Sequence, residues 1–449
     1  MNKNLLSKWL MLSLLLTTRI TFSQQSYSLR EAVDYTVKNH VNIKNAQLDI
    51  LNAEARVSEI KGLGLPQVNA NVNYTNNVII PRFFIPAKTF DPNAAEGDVV
   101  AAEFGVANSG QAGVSLSQLL FDGSYTLGLK AADVYKDLSK KALVQTKQQA
   151  AENVTKAYYG ILVNEERMKL LTLNIGRLDS LLRDTKALNA QGFAEKLDVQ
   201  RLEVQLSNLK VESKNVERLQ ELSYYLLKFQ MGIKASETIK LTDKLTDVNI
   251  NELAPDSDLA IKYTDRIEYS ILQTQNRLAE LDLKNQKAGY LPRVLLSGSY
   301  GFSAGRPQFF DLVTKPWFSS ATLGFVIQVP IFDGFQRKNK IIQSQNSLQK
   351  VKNSFEILEN SIDLQVKQGQ ITLKNAYETL KEQKANMELA NEIVRVTKIK
   401  YKQGVGSNLE VINAEISSKE AQTNYFTTFY NALIAKVDLD KALGKLYTE

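Results

Sequence analysis

The chain has 449 residues, no cysteine and a single histidine, His40. That composition excludes thiolate metal sites, cysteine nucleophiles, disulfide frameworks, multi-histidine centres and a lipid-anchored N-terminal cysteine. The formal charge of +7 is too mild and too evenly spread to indicate nucleic-acid binding.

Residues 1–23 read as a secretory signal peptide. Lys3 and Lys8 form the basic start, and residues 9–16 are an apolar run too short to span a bilayer. Thr21 and Ser23 are the small residues before an expected cut at Gln24. Losing Lys3, Lys8 and Arg19 leaves 52 basic residues against 48 acidic ones, a charge of +4. No later stretch has 18 consecutive apolar residues, so a mature chain that enters a membrane must do so as a barrel.

The rest of the chain reads as one plan written twice, in residues 24–251 and 252–449. Leu65-Pro66 is echoed by Leu291-Pro292, and Phe121-Asp122-Gly123 by Phe332-Asp333-Gly334. Gln191-Gly192 recurs as Gln403-Gly404, Leu197-Asp198-Val199 as Leu409-Glu410-Val411, and Met231-Gly232 as Leu443-Gly444. The first pair lies 226 residues apart, the second 211 and the last three 212. The first half therefore carries extra residues between its first two landmarks, which fits a variable loop.

Between those landmarks the period is two. Val68, Ala70, Val72 and Tyr74 alternate with Asn69, Asn71 and Asn73, and Val114, Leu116 and Leu120 mostly with glycine and serine. Val294, Leu296, Tyr300 and Phe302 repeat the pattern, as do Ala321, Leu323, Phe325, Ile327 and Val329. Strands of roughly 9–11 residues with one apolar face suit a transmembrane barrel. A half-buried soluble sheet shows the same alternation. The connections 78–110 and 304–320 carry Phe83, Phe84, Phe309, Phe310 and Trp317. Such residues suit a membrane interface or a cap on the barrel mouth.

Residues 124–190 contain no proline, and as one helix they would extend about 100 Å. Ile161, Met168, Leu171, Ile175, Leu178 and Leu182 form a coiled-coil seam, matched later by Ile341, Leu348, Val351, Phe355, Leu358 and Ile362. A second helix starts after Gly192 and after Gly404, with expected seams at Leu202, Leu206 and Leu209 and at Leu409, Ile412 and Ile416. Four strands cannot close a membrane barrel alone, because open edges leave unpaired backbone groups in lipid. Two copies would supply eight strands, whose interior side chains fill, and three would supply twelve and leave a lumen.

In this doubled order the landmarks resemble the TolC-type outer-membrane efflux proteins over residues 28–446. The resemblance implies a mixed α and β fold: four strands per chain, a twelve-stranded barrel in a homotrimer, and a long α-helical coiled-coil barrel in the periplasm. It implies a passive conduit across the outer-membrane lipid of a Gram-negative bacterium, with no catalysis and no cofactor. The implied partners are a periplasmic adaptor (membrane fusion) protein and an inner-membrane transporter, in tripartite efflux or type I secretion. A coiled-coil structural or adhesive surface protein would explain the heptads but not the doubled hairpins.

The resemblance also places the site. Gly192, Phe193, Gly404 and Val405 fall on the periplasmic tips that meet the adaptor, although any helical hairpin needs glycine where it reverses. Glu410 and Asn413 fall on the acidic pore ring, where a solvated helix-start glutamate is the plainer reading of Glu410. Asp198 and Tyr401 fall on a closing latch, and Gly406 stands where the family has an arginine.

Overall fold

The computed structural model describes residues 25–254 and 260–447. The expected signal peptide, 1–23, lies outside the described residues. A short strand β1 (Gln25–Tyr27) leads into α1 (Leu29–Asn39). Ser28 starts that helix: its hydroxyl accepts from the Glu31 amide at 3.3 Å, while the Glu31 carboxylate accepts from the Ser28 amide at 2.8 Å. The reciprocal pair satisfies amides that a helix start leaves without partners. Helix α2 (Val41–Leu63) follows and stops just before Leu65-Pro66, since proline disfavours helical geometry in the residue before it.

Then come β2 (Gln67–Asn76), a small ribbon β3 (Arg82–Pro86) with β4 (Val99–Glu103), β5 (Asn108–Phe121) and the long α3 (Gly123–Ala190). Helix α4 (Lys196–Met231) returns to β6 (Ile239–Leu241). The second half supplies α5 (Ile267–Ala288), β7 (Arg293–Arg306), the single turn α6 (Phe310–Thr314), β8 (Phe318–Gln328), α7 (Gln336–Lys402) and α8 (Asn408–Ala442). Four of these helices end on a glycine with positive φ: Gly192, Gly232, Gly404 and Gly444. At each, the next amide reaches back five residues, as from Phe193 to Leu188 at 2.8 Å and from Val405 to Lys400 at 3.0 Å. This closure satisfies helix-end carbonyls and needs a left-handed residue, for which glycine carries no Cβ penalty.

Two compact units emerge, and each draws on both halves of the chain. One consists of Leu48–Lys141 and Ser270–Ile357 and holds an antiparallel sheet in the order β2-β5-β7-β8. Strands β5 and β7 have 14 residues each, longer than the sequence suggests, because they pair with each other along almost their whole length. The register slips between Leu119 and Phe121. That bulge explains why strict alternation fails around Leu120: the extra residue resets the phase so that Phe121 lies opposite Val294.

The other unit consists of residues up to Gln47, Ala142–Tyr269 and Leu358 onward. Its main core gathers Tyr158, Ile161 and Leu162 of α3, Leu227 and Met231 of α4, and Phe426, Phe429 and Leu433 of α8. The Tyr158 phenol donates to the Tyr27 carbonyl at 2.9 Å, which anchors the parallel β1–β6 pair against α3. A second cluster nearer the helix ends packs Leu171, Leu178 and Leu182 against Leu202, Leu206 and Leu209. Each such leucine contributes roughly 1.5–3 kcal/mol on burial.

Helix α7 shows the seam most clearly. Its sheltered positions include Ile341, Ser344, Leu348, Val351, Phe355, Leu358 and Ile362, then Val366, Gly369, Leu373, Ala376 and Leu380. The steps are three and four in alternation, broken by two successive fours around Ile362, the mark of a local stutter in a heptad repeat. On α8 one buried row runs through Val411, Glu415, Ser418, Gln422, Tyr425 and Phe429, with Ile412, Phe426 and Leu433 buried beside it. This corrects the expected seam there. Ile412 is buried and Ile416 packs against the same cluster, but Leu409 is exposed, because the seam runs through polar residues that hid its phase.

Candidate functional site

The sheet divides its residues by chemistry. Val68, Ala70, Val72 and Tyr74 of β2 share a face with Ala112, Val114 and Leu116 of β5. Through the register that face continues to Leu296, Gly298, Tyr300 and Phe302 of β7, and to Ala321, Leu323 and Phe325 of β8. The other face carries Asn69, Asn71, Asn73, Ser115, Ser117, Ser297, Ser299, Ser303, Ser320 and Thr322, with glycines between, and ends in Leu119, Leu295 and Val326 on one side and Phe318 on the other. A soluble sheet would hide the apolar face against a core. Here it is bare: Val72 and Leu323 are each 77% exposed. The outer strands β2 and β8 each pair on one side only. Among the described residues no helix is long and apolar enough to cross a membrane.

The two helical hairpins end in the expected tips. Gly192 and Gly404 have φ of 80° and 76°, and Phe193 and Val405 beside them are 78% and 73% exposed. Across the first tip the Asn189 side-chain amide donates to the Ala194 carbonyl at 2.7 Å. At the second, the Ser407 hydroxyl caps α8 by accepting from the Glu410 amide at 3.2 Å.

The latch residues are both at the tips, but they do not bond to each other within the chain. The Thr185 hydroxyl spends its proton on the Leu181 carbonyl, so the Tyr401 phenol donates to Thr185 Oγ1 at 3.3 Å. The Asp198 carboxylate faces Arg201 one turn along its own helix, at 3.7 Å. The Asp198 backbone carbonyl instead accepts from the Asn408 side chain at 3.1 Å. Asn408 is 3% exposed and was not singled out in the sequence. Its one visible signal is its place at the first position of α8, directly after the capping Ser407.

Glu410 and Asn413 stand on the exposed side of α8. The Glu410 carboxylate lies 3.9 Å from Lys400 Nζ. The same exposed stripe continues through Ser417, Glu420, Asn424, Thr427 and Asn431. Every member is polar. The exposed stripes of α4 and α7 are different: Leu197, Val204 and Val211 on one, Ile357, Leu364 and Ile371 on the other, each spaced by seven.

A buried polar ladder above the tips was also missed. Glu415 pairs with Lys398, the Ser418 hydroxyl donates to Asn391 at 2.8 Å, and Gln422 bridges Asn391 and Asn174 at 2.9 and 2.7 Å. Glu212 sits between Arg167 and Lys419. Burial raises its carboxyl, but the two cations outweigh burial and hold it below the usual range. Among the described residues no group of three or more acidic, histidine or cysteine side chains could hold a metal ion.

A bare apolar sheet face backed by a largely polar one, joined to long heptad helices, is the arrangement expected of a membrane-barrel protein. Residues 270–445 match the family described as outer membrane efflux protein. The outer membrane protein OprJ of Pseudomonas aeruginosa is 25% identical over 439 residues, covering 93% of this chain and 84% of OprJ. A crystal structure of a membrane protein from Pseudomonas aeruginosa has a TM-score of 0.72 at 20% identity, with 92% of each chain covered. The outer membrane protein VceC of Vibrio cholerae has a TM-score of 0.71 at 13% identity, covering 93% of this chain and 96% of VceC. These structural likenesses show the fold. Residues 270–445 thus carry the pattern of the outer membrane efflux proteins, and the chain as a whole has the fold of these outer-membrane proteins.

Proposed function

We propose that three copies of this chain form one passive conduit from the periplasm to the exterior, in a tripartite efflux or type I secretion system. The observation that carries this reading is the bare apolar face of a four-stranded sheet with two unpaired edges. Lipid is the solvent that such a face requires, and edge strands in lipid must find partners. Three copies supply twelve strands, enough for a lumen lined by the asparagine and serine face. The doubled plan, 24–251 and 252–449, gives each copy two hairpins and two helical tips.

The helix stripes support the same arrangement. The apolar free stripes of α4 and α7 suit packing against neighbouring copies, and the all-polar stripe of α8 suits a water-filled lumen. Glu410 is the acidic ring, with Asn413 beside it, and Glu420 adds a second acidic level. Phe193 and Val405, presented by Gly192 and Gly404, are the contact points for a periplasmic adaptor, which links the conduit to an inner-membrane transporter. Tyr401 and Asp198 hold the two tip hairpins together through separate partners, Thr185 and Asn408. The conduit performs no catalysis, and energy comes from the transporter.

Purified protein in planar bilayers tests the reading. The expected result is a discrete, cation-preferring conductance whose selectivity falls in Glu410→Ala at low salt, where screening is weakest. Folded protein that inserts without conducting would contradict the channel, and unchanged selectivity would remove Glu410 from the lumen.

A further inference from the structure

The chain leaves β8 through Val329-Pro330-Ile331-Phe332-Asp333-Gly334-Phe335 before α7 begins. Gly334 and Phe335 both have left-handed φ, 63° and 65°, and Phe335 is the one non-glycine residue with positive φ among the described residues. A bulky side chain there is strained, and a glycine would fit without cost. Nothing within the chain rewards the ring with burial: Phe335 is 62% exposed, and Ile331 and Phe332 are more exposed still. The rings of Phe332 and Phe335 meet edge to face at 5.6 Å, so the strain assembles an aromatic pair on the surface. An observed strained residue of this kind points to a function outside the packing of the chain itself.

The surroundings indicate what the pair meets. Along the chain the order is the lipid-facing residues of β8, then the aromatic pair, then Arg337, Lys338 and Lys340 in the first two turns of α7. Arg337 lies 3.6 Å from Asp333 and over the Tyr290 ring. Lys338 and Lys340 are exposed and have no ion pair among the described residues. Hydrocarbon, aromatic belt and cation is the order in which a bilayer passes from acyl chains to headgroup phosphates.

We propose that Phe332 and Phe335 form an anchor in the periplasm-facing leaflet of the outer membrane, and that Lys338 and Lys340 bind the phosphates of anionic phospholipid there. The inference rests on the channel reading above. The strain at Phe335 is offset by immersion of its ring at the chain–headgroup boundary. The anchor fixes the depth of the sheet in the bilayer where the chain changes from strand to helix.

Tryptophan fluorescence tests this in the full-length channel reconstituted in vesicles. Trp317 is the sole tryptophan after the expected signal peptide, so the parent protein gives the background. Phe335→Trp is compared with Leu323→Trp in mid-strand, using phospholipids brominated near the headgroup or deep in the acyl chain. The expected result is that the Phe335→Trp emission falls most with shallow bromine and resists aqueous iodide. Phe332→Trp, at ordinary φ, gives the same readout should Phe335→Trp fail to fold. Brominated phosphatidylglycerol is expected to quench more than brominated phosphatidylcholine at equal mole fraction, and Lys338→Gln with Lys340→Gln to abolish that difference. Quenching at Leu323→Trp with none at either aromatic position overturns the anchor and leaves the channel intact. No quenching at Leu323→Trp overturns the channel reading itself. Equal quenching by the two lipids with both lysines present overturns the phosphate site.

Discussion

The residues that matter most at the helical end are buried and polar, and their partners decide what each substitution does. Glu152 is 5% exposed and accepts from Lys156 and Lys441 at 2.8 and 2.7 Å. Burial raises its carboxyl, but the lysines outweigh burial and the net shift is downward from 4.5. A folded value below the unfolded one gives stability that is fully present above the unfolded value and is lost as pH falls through the folded one. Glu152→Gln leaves Lys441 without its carboxylate while Lys156 keeps Asp438, and because both lysines are partly exposed the cost is about 1 kcal/mol. Helical unfolding followed by circular dichroism is expected to show that deficit at neutral pH and to show it shrinking below pH 4.5. A deficit independent of pH would show that charge at Glu152 is not what stabilises the fold. The latch is a second case. Tyr401→Phe removes the bond to Thr185, and Asn408→Ala removes the bond to the Asp198 carbonyl, whereas Asp198→Ala keeps that carbonyl. The first two substitutions are expected to raise single-channel conductance, roughly additively because they share no partner, and Asp198→Ala to change it least. A large opening by Asp198→Ala alone would restore a direct role for its carboxylate. Sequence reasoning placed Tyr401 and Asp198 at the same end of the molecule, but a hydrogen-bond partner depends on rotation about the helix axis, and spacing from the tip does not supply it.

At the scale of elements, glycine and heptads were the legible signals. Gly192, Gly232, Gly404 and Gly444 mark helix ends because those closures need a left-handed residue. A Cβ at Gly404 would meet nothing within 4 Å, so Gly404→Ala carries only the backbone cost, about 1 kcal/mol. Hydrogen exchange is expected to quicken at the last turn of α7 and the first of α8, with the rest of the helix unchanged. Protection unchanged at the tip would mean that the glycine is not required for the turn. The seam of α8 was harder to read, because Glu415, Ser418 and Gln422 occupy positions that a heptad reader expects to be apolar. The same helix hid its exposed stripe, since a row of serine, threonine and asparagine has no periodic apolar signal. If that stripe lines the lumen, Glu420→Gln is expected to lower cation selectivity at low salt as Glu410→Ala does, while Glu217→Gln on exposed α4 leaves it unchanged. Equal effects from all three would mean that selectivity follows net charge and not the stripe. The β3–β4 ribbon and the α6 turn were invisible as elements, because short strands and single turns fall below any period that a sequence can display.

At the scale of the molecule, the sequence carried the class of fold through alternation and order, and the structure adds the fact that alternation alone could not supply. The apolar face of the sheet is uncovered, and both edges are open. Closure by other copies is therefore the central claim, and the absence of cysteine makes it directly testable. Asn71→Cys on β2 is combined in turn with Ser320→Cys, Thr322→Cys and Gly324→Cys on β8, all on the polar face. Within one chain β2 and β8 are separated by β5 and β7, a span of about 14 Å at ~4.8 Å per strand. A disulfide needs Cα atoms roughly 4.4–6.8 Å apart, so a bond between these strands must join different copies. Oxidation of the membrane-inserted protein is expected to give, for at least one pair, a covalent species of three chains on a denaturing gel, with none above three. Single-chain protein from every pair, in membranes where the channel is folded, would contradict closure of the barrel by neighbouring copies.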